Sequence, residues 1–362
     1  MSFQFVILIL AFFAASWFKE TGSEQNRRRQ RKNYIFFMMS IFVLQSGLRR
    51  EDVGPDTGQY KMFFYESISR TWSDYFSSFR DFIRFDEGKD PGYYLLNKLF
   101  GEVFPSYQLF LIFIAILFFT ALGKLLYKYL NSNEEILVAL SLYQCLFYSF
   151  MSITGHRQTV ATAFLLFAVP HILNKKWIKA GLLFALAITQ HKSAILFGVF
   201  FALPFVCTMY KKLIIASAAV FPVMLRFGGS VALFFMEDTR MEQYANYLEE
   251  YEGAGAYFFA AFILLLAACL FWKGKSLADQ NDSNKVFISA IAGAVVLTPL
   301  TMINPSNMRI VQYYSIFSLL ILPQFLTTIK SSFRSFNIHS IIFWFFAFYT
   351  FLRPISYYFF WE

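Results

Sequence analysis

The sequence predicts an all-α polytopic membrane protein of about twelve spanning helices, and three observations carry that expectation. Hydrophobic residues make up 57% of the 362 and charged residues only 15%, against about 25% charged in soluble domains. A soluble fold of this length could not hide so much apolar surface, 49 phenylalanines included, so lipid must solvate most of it. Apolar runs long enough to cross about 30 Å of hydrocarbon recur along the whole chain. Basic residues gather in alternate connections between them.

The runs fall near 2–18, 33–48, 106–126, 135–153, 157–173, 178–191, 194–210, 213–236, 257–272, 286–303, 309–328 and 340–360. The first lacks a positive segment ahead of it, and the basic stretch 27–32 (RRRQRK) follows it. That order holds the next loop inside and the N-terminus outside, and it argues against a cleaved signal peptide despite the small residues of AFFAAS at 11–16. Six inner connections then hold 18 of the 32 basic residues and six of the 23 acidic ones, leaving 14 basic and 17 acidic elsewhere. The expectation is one membrane domain over 1–362 with both termini outside and two extracytoplasmic insertions, 49–105 and 237–256. Run 213–236 is the weakest. It holds Arg226, Gly228 and Gly229, and is expected to cross once with a local break at the glycines. Ser289 with Gly293, and Ala290 with Ala294, predict close helix packing around the tenth run. Within the first insertion, residues 62–84 set Tyr65, Ile68, Trp72, Tyr75, Phe76, Phe79 and Ile83 along one helical face. This predicts an amphipathic helix in the outer interface, or a lid packed on the bundle.

The net charge of +9 is dispersed between apolar runs, which excludes a nucleic-acid surface. Cys145, Cys207 and Cys269 sit inside apolar runs, and no CxxC or other metal-ligand spacing occurs, so neither a disulfide frame nor a metal is expected. DxD, GxGxxG and P-loop patterns are missing as well, and no cofactor is expected. Charge close to the membrane is costly and marks candidate function. Arg49, Arg50, His156, Arg157, His191, Lys192 and Arg309 fall at the outer ends of the runs, with Arg226 and Arg353 in the outer third. Cations gathered against the topological bias suit a phosphate-bearing ligand, because arginine forks bind phosphate bidentately and stay charged. Snorkelling to headgroups is the alternative for any one of them. His171 and His339 fall on the inner side and read as structural.

Four stretches resemble the EpsG branch of the Wzy-type exopolysaccharide polymerases: GLRREDVGPDTGQY (47–60), DPGYYLLNKLF (90–100), HRQTVA (156–161) with QHKSA (190–194), and NPSNMRIVQYY (304–314). They occur in the family's order with similar spacing. One residue departs from it, since the family usually carries Glu before Pro-Gly-Tyr where this chain has Asp90. The resemblance implies a GT-C-like glycosyltransferase in the bacterial inner membrane. It would polymerise undecaprenyl-diphosphate-linked oligosaccharides into exopolysaccharide, capsule or O-antigen at the extracytoplasmic face, with a flippase or chain-length regulator as possible partner. Arg49, Arg157 and Arg309 would then bind the diphosphate. His191 is the best-suited base, with Asp90 or Asp56 as carboxylate alternatives. Tyr60, Tyr93, His156, Gln158, Asn304 and Tyr313 would contact sugar. Simpler roles compete with these. Asp90 before Pro91 suits a helix N-cap, Asp56 an Asx turn, His191 an interfacial cap, and Tyr60, Tyr93, Tyr313 and Tyr314 an aromatic belt. A lipid-linked oligosaccharide flippase and an O-antigen ligase are the rival functions. The flippase is disfavoured because the charges lie at the outer edge and not at the midplane.

Overall fold

A computed structural model describes residues 3–84, 90–235, 254–303, 307–330 and 337–362. Regular structure among these residues is helical throughout, apart from one isolated bridge between Arg49 and Phe359. Four helical runs are long and apolar enough to cross a membrane: Tyr107–Tyr129, Lys192–Gly229, Gly255–Lys273 and Asp282–Met302. A fifth follows if Met308–Ser315 and Ser318–Ile329, bent by 47°, form one span. Shorter apolar helices cover Phe3–Trp17, Trp177–Gln190 and Ile338–Leu352. The chain packs as two compact units, Met1–Ala194 with Phe333–Glu362, and Ile195–Ser332. Most of the expected insertion 237–256 lies outside the described residues.

The first unit comprises α1 (Phe3–Trp17), α2 (Glu24–Gly47), α3 (Thr57–Ser69), α4 (Trp72–Ile83), α5 (Pro91–Val103), α6 (Tyr107–Tyr129), α7 (Asn133–Leu146), α8 (His156–Leu173), α9 (Trp177–Gln190) and the closing helix Ile338–Leu352. Serine caps set three of the starts: the hydroxyls of Ser23, Ser106 and Ser132 accept N–H bonds from the first turns of α2, α6 and α7. Lipid is as apolar as the side chains, so close fit holds such helices together more than water exclusion does. Gly47 and Gly123 supply that fit on the α2–α6 seam, where an added Cβ would lie 2.9 Å from Ile112 and from Met39. The two ends of the bundle are distinct. At one, Asn133 donates to the Phe18 carbonyl at 2.7 Å, and Arg31 donates to that of Asn131. At the other, Ser46 donates to the Ser152 carbonyl at 2.9 Å, and Gln108 donates to that of Gly47. The long helices therefore alternate in direction.

The amphipathic helix expected over 62–84 is two helices. Thr71 stops α3 and starts α4, because its hydroxyl and backbone N–H both meet the Asp74 carboxylate in a capping box. Tyr65, Trp72, Phe76 and Ile83 stay exposed, whereas Tyr75 is buried with its hydroxyl on the Ser67 carbonyl. Lys98 of α5 ties down the end of α3 by donating to the carbonyls of Ile68 and Arg70, and its ammonium lies 5.3 Å from the centre of the Trp72 ring in α4.

In the second unit, the run from Lys192 to Gly229 folds back on itself. Leu196 and Met224 both pack against Leu300 and Ile310, yet a straight helix would set them about 40 Å apart. The reversal falls at the turn Cys207–Met209, just before Lys211 and Lys212. The expected break at Gly228 and Gly229 is absent, since helix Tyr210–Phe235 runs through both. In an apolar solvent the helical bonds are worth more than the entropy glycine gives up. Gly293 makes the close approach read from the small-residue spacing, with an added Cβ only 3.0 Å from the Tyr314 ring.

Candidate active site

The N-terminal end of α8 and the C-terminal end of α9 meet at Asp90, just ahead of α5. Asp90 is fully buried and adopts the left-handed conformation, with φ 47°. The following proline disfavours right-handed helical geometry there, and a non-glycine in this region stores roughly 1–3 kcal/mol. Asp90 occupies the N-cap position of α5, but its side chain does not cap. Its Oδ2 accepts a bond from Arg157 Nη1 at 2.8 Å and faces His191 Nδ1 at 3.3 Å, while Oδ1 accepts the Lys192 backbone N–H at 2.8 Å. Gly92 permits this approach, because a Cβ there would come within 2.3 Å of Thr189 Oγ1.

Burial alone would raise the Asp90 pKa, but His191, Arg157 and the Lys192 N–H outweigh it and hold the carboxyl below its ordinary value. An ionised carboxylate only accepts. The proton between it and His191 therefore belongs to Nδ1, so that a neutral His191 imidazole has Nε2 as its acceptor. The charge adjacent to His191 is the Asp90 carboxylate, with Arg157 on the same oxygen.

A second cluster adjoins the first. The Arg157 guanidinium stands 5.7 Å from the centre of the Tyr60 ring, and Tyr60 stacks on His156 at 4.5 Å. Arg49 Nη2 lies 2.6 Å from His156 Nε2, and its other bonds go to the carbonyls of Ser46 and Ile153. Nε2 therefore acts as acceptor, and Nδ1–H points to the Tyr107 hydroxyl at 3.3 Å, which itself donates to the Thr57 carbonyl. Ile153 belongs to a π-helical turn, Ser149–Thr154, inserted just before α8. Such turns recur beside functional residues.

Asp90, Arg157 and His191 thus come together, and Tyr60 and His156 link them to Arg49. Tyr93 is fully buried, with its ring centre 5.8 Å from that of Tyr60, and Gln158 is buried next to Arg157 in α8. Asp56 does not join them. It precedes α3 without capping it, so the Asx-turn reading gains no bond either. Arg309 and Tyr313 belong to the second unit, where Tyr313 is buried. Asn304 lies outside the described residues. Tyr60, Tyr93, Tyr313 and Tyr314 are all buried, so none serves in an interfacial belt. The Lys192 amide, Tyr107, the π-turn and the C-terminal residues packed on Arg49 carried no functional signal in sequence. Only the glycine between SFMSIT and His156 hinted at an irregular backbone.

Fold and site together define a multi-pass, all-helical membrane protein with a buried carboxylate–histidine–arginine cluster at one end of a helix bundle. The chain belongs to the EpsG family, whose model matches residues 32–361. That membership makes it an exopolysaccharide-related polymerase of glycosyltransferase-like character. No match was found among curated proteins or among solved structures.

Proposed function

We propose that the protein joins undecaprenyl-diphosphate-linked oligosaccharide repeat units into a polysaccharide at the extracytoplasmic face of the bacterial inner membrane. The chain would cross twelve times, seven in the first unit and five in the second, with 49–105 outside. Two things support this topology: the basic bias of alternate connections and the fold-back at Lys211 and Lys212.

The observation that carries the chemistry is the Asp90 carboxylate shared by Arg157 and His191. The acceptor sugar's hydroxyl attacks the anomeric carbon of the growing chain. Its O–H proton passes to His191 Nε2, a carbon–oxygen bond forms, and the bond to the lipid diphosphate breaks. Asp90 positions the imidazole in the accepting tautomer, and Arg157 holds Asp90 ionised. Developing charge on the departing diphosphate calls for cations aimed at it, a role for Arg49.

The test replaces His191 by Ala and by Gln in cells. Both variants should accumulate single lipid-linked repeat units and lose polymer at unchanged protein abundance, by roughly 10²–10⁴-fold for loss of a general base. Normal polymer from the Gln variant would move the base elsewhere. Long chains that fail to reach their final acceptor would point to a ligase, and inward-facing units to a flippase.

A further inference from the structure

The two arginines of the site are held in different ways. Arg157 is neutralised by Asp90 at 2.8 Å. Arg49 is buried to 2% exposure and makes no ion pair among the described residues; its bonds go only to the carbonyls of Ser46 and Ile153 and to the neutral His156 ring. Among the described residues its Nε–H has no partner. Neutral acceptors can aim a guanidinium without cancelling its charge, whereas a carboxylate would cancel it.

The scaffold that aims Arg49 includes the C-terminal residues. Phe359 pairs with Arg49 in an antiparallel bridge flanked by two backbone bonds, Arg50 N–H to the Tyr358 carbonyl at 2.8 Å and Phe360 N–H to the Leu48 carbonyl at 3.0 Å. The Tyr357 hydroxyl donates to the Gln45 carbonyl at 2.7 Å, one turn back in α2. The Arg50 guanidinium lies 4.5 Å from the centre of the Tyr358 ring. On the far side, Gln4 of α1 donates to the Ile355 carbonyl, and Phe3 packs its ring on Tyr357 and Phe359. Residues 355–360 therefore strap the end of α2 and carry the backbone from which Arg49 projects.

We propose that Tyr357 and the strap through Phe360 are positioning residues that aim Arg49, with its charge uncancelled, at the diphosphate of the lipid-linked donor. The inference rests on the donor being a lipid diphosphate. Strap changes should then weaken donor binding and spare the proton transfer at His191.

Purified full-length protein in lipid nanodiscs, supplied with a lipid-diphosphate-linked repeat unit, tests it. Phe360→Pro removes the N–H that bonds the Leu48 carbonyl. Tyr357→Phe removes a single hydroxyl and should fold normally even if the proline variant does not. Each should raise the donor KM, by roughly tenfold for one well-placed bond, with kcat close to wild type. Inhibition by inorganic pyrophosphate should weaken in parallel, which a merely structural role would not produce. Wild-type KM and pyrophosphate inhibition in Tyr357→Phe, or an effect confined to kcat, would overturn the inference and leave the donor reading standing. If the wild-type protein failed to turn over any lipid-diphosphate donor, the reading and this inference would fall together.

Discussion

At the scale of single residues, Asp90 carries more of the site than any other side chain. Breaking a buried ion pair on one side leaves an uncompensated charge, at about 3–5 kcal/mol. Asp90→Asn should therefore lower both abundance and activity, since Arg157 loses its counter-charge and His191 the acceptor that fixes its tautomer. Acid sensitivity gives a second measure. In the folded protein Asp90 titrates below its ordinary 3.8. Its contribution to stability is therefore complete above pH 3.8 and is lost as pH falls through the lower folded value. Acid unfolding in detergent should be steeper below pH 3.8 for the wild type than for Asp90→Asn. Equal slopes would mean that the carboxylate does not stabilise the fold. Arg157→Lys offers a further contrast. A lysine would keep the charge but lose the planar fork that lies along both Asp90 and Tyr60, so activity should fall even where abundance holds.

At the scale of elements, the site exists because α5 reaches the ends of α8 and α9 at Gly92. A methyl group there would meet Thr189 and Gln190 well inside van der Waals distance, and overpacking of this kind costs about 1–3 kcal/mol. Gly92→Ala should draw Asp90 away from the Lys192 N–H and reduce polymer formation. Gly58→Ala, at a glycine with open space around it, should leave polymer unchanged, and equal losses in the two variants would remove the packing argument. The same elements show what a sequence can reveal and why the rest stays hidden. Alternating charge and apolar length are local signals, and apolar length marked the long apolar helices in both units. His191 and Arg157 were legible as outer-end residues on neighbouring helices, so their meeting follows from a short hairpin. The Asp90 conformation was not legible, because an Asp-Pro pair suits an N-cap equally well and only tertiary contacts turn the carboxylate towards α8 and α9. The stop at Thr71 was hidden by an apolar periodicity that continues across it. A π-turn and a pairing between Arg49 and Phe359, more than 300 residues apart, leave no local trace.

At the scale of the whole molecule, each unit sorts its charges by end. In the first, Arg31 reaches the connection between α6 and α7, while Lys124 lies over the Phe167 ring at 5.2 Å. The opposite end holds Arg49, Arg157 and His191. In the second, Lys211 lies over Phe271 at 5.6 Å, so the basic connections at 211–212 and 273–285 share one end. Retention of lysine and arginine on the cytoplasmic side would put 49–60 outside and 273–285 inside. A cysteine introduced at Asp52 or Gln59 in a background lacking the three native cysteines should react with a membrane-impermeant maleimide on intact cells. One introduced at Lys275 or Gln280 should react only after permeabilisation. Labelling at Lys275 in sealed cells would reverse the second unit and remove the twelve-span topology. Protection at Asp52 would put the Arg49 turn on the cytoplasmic side, where the extracytoplasmic polymerase reading could not hold.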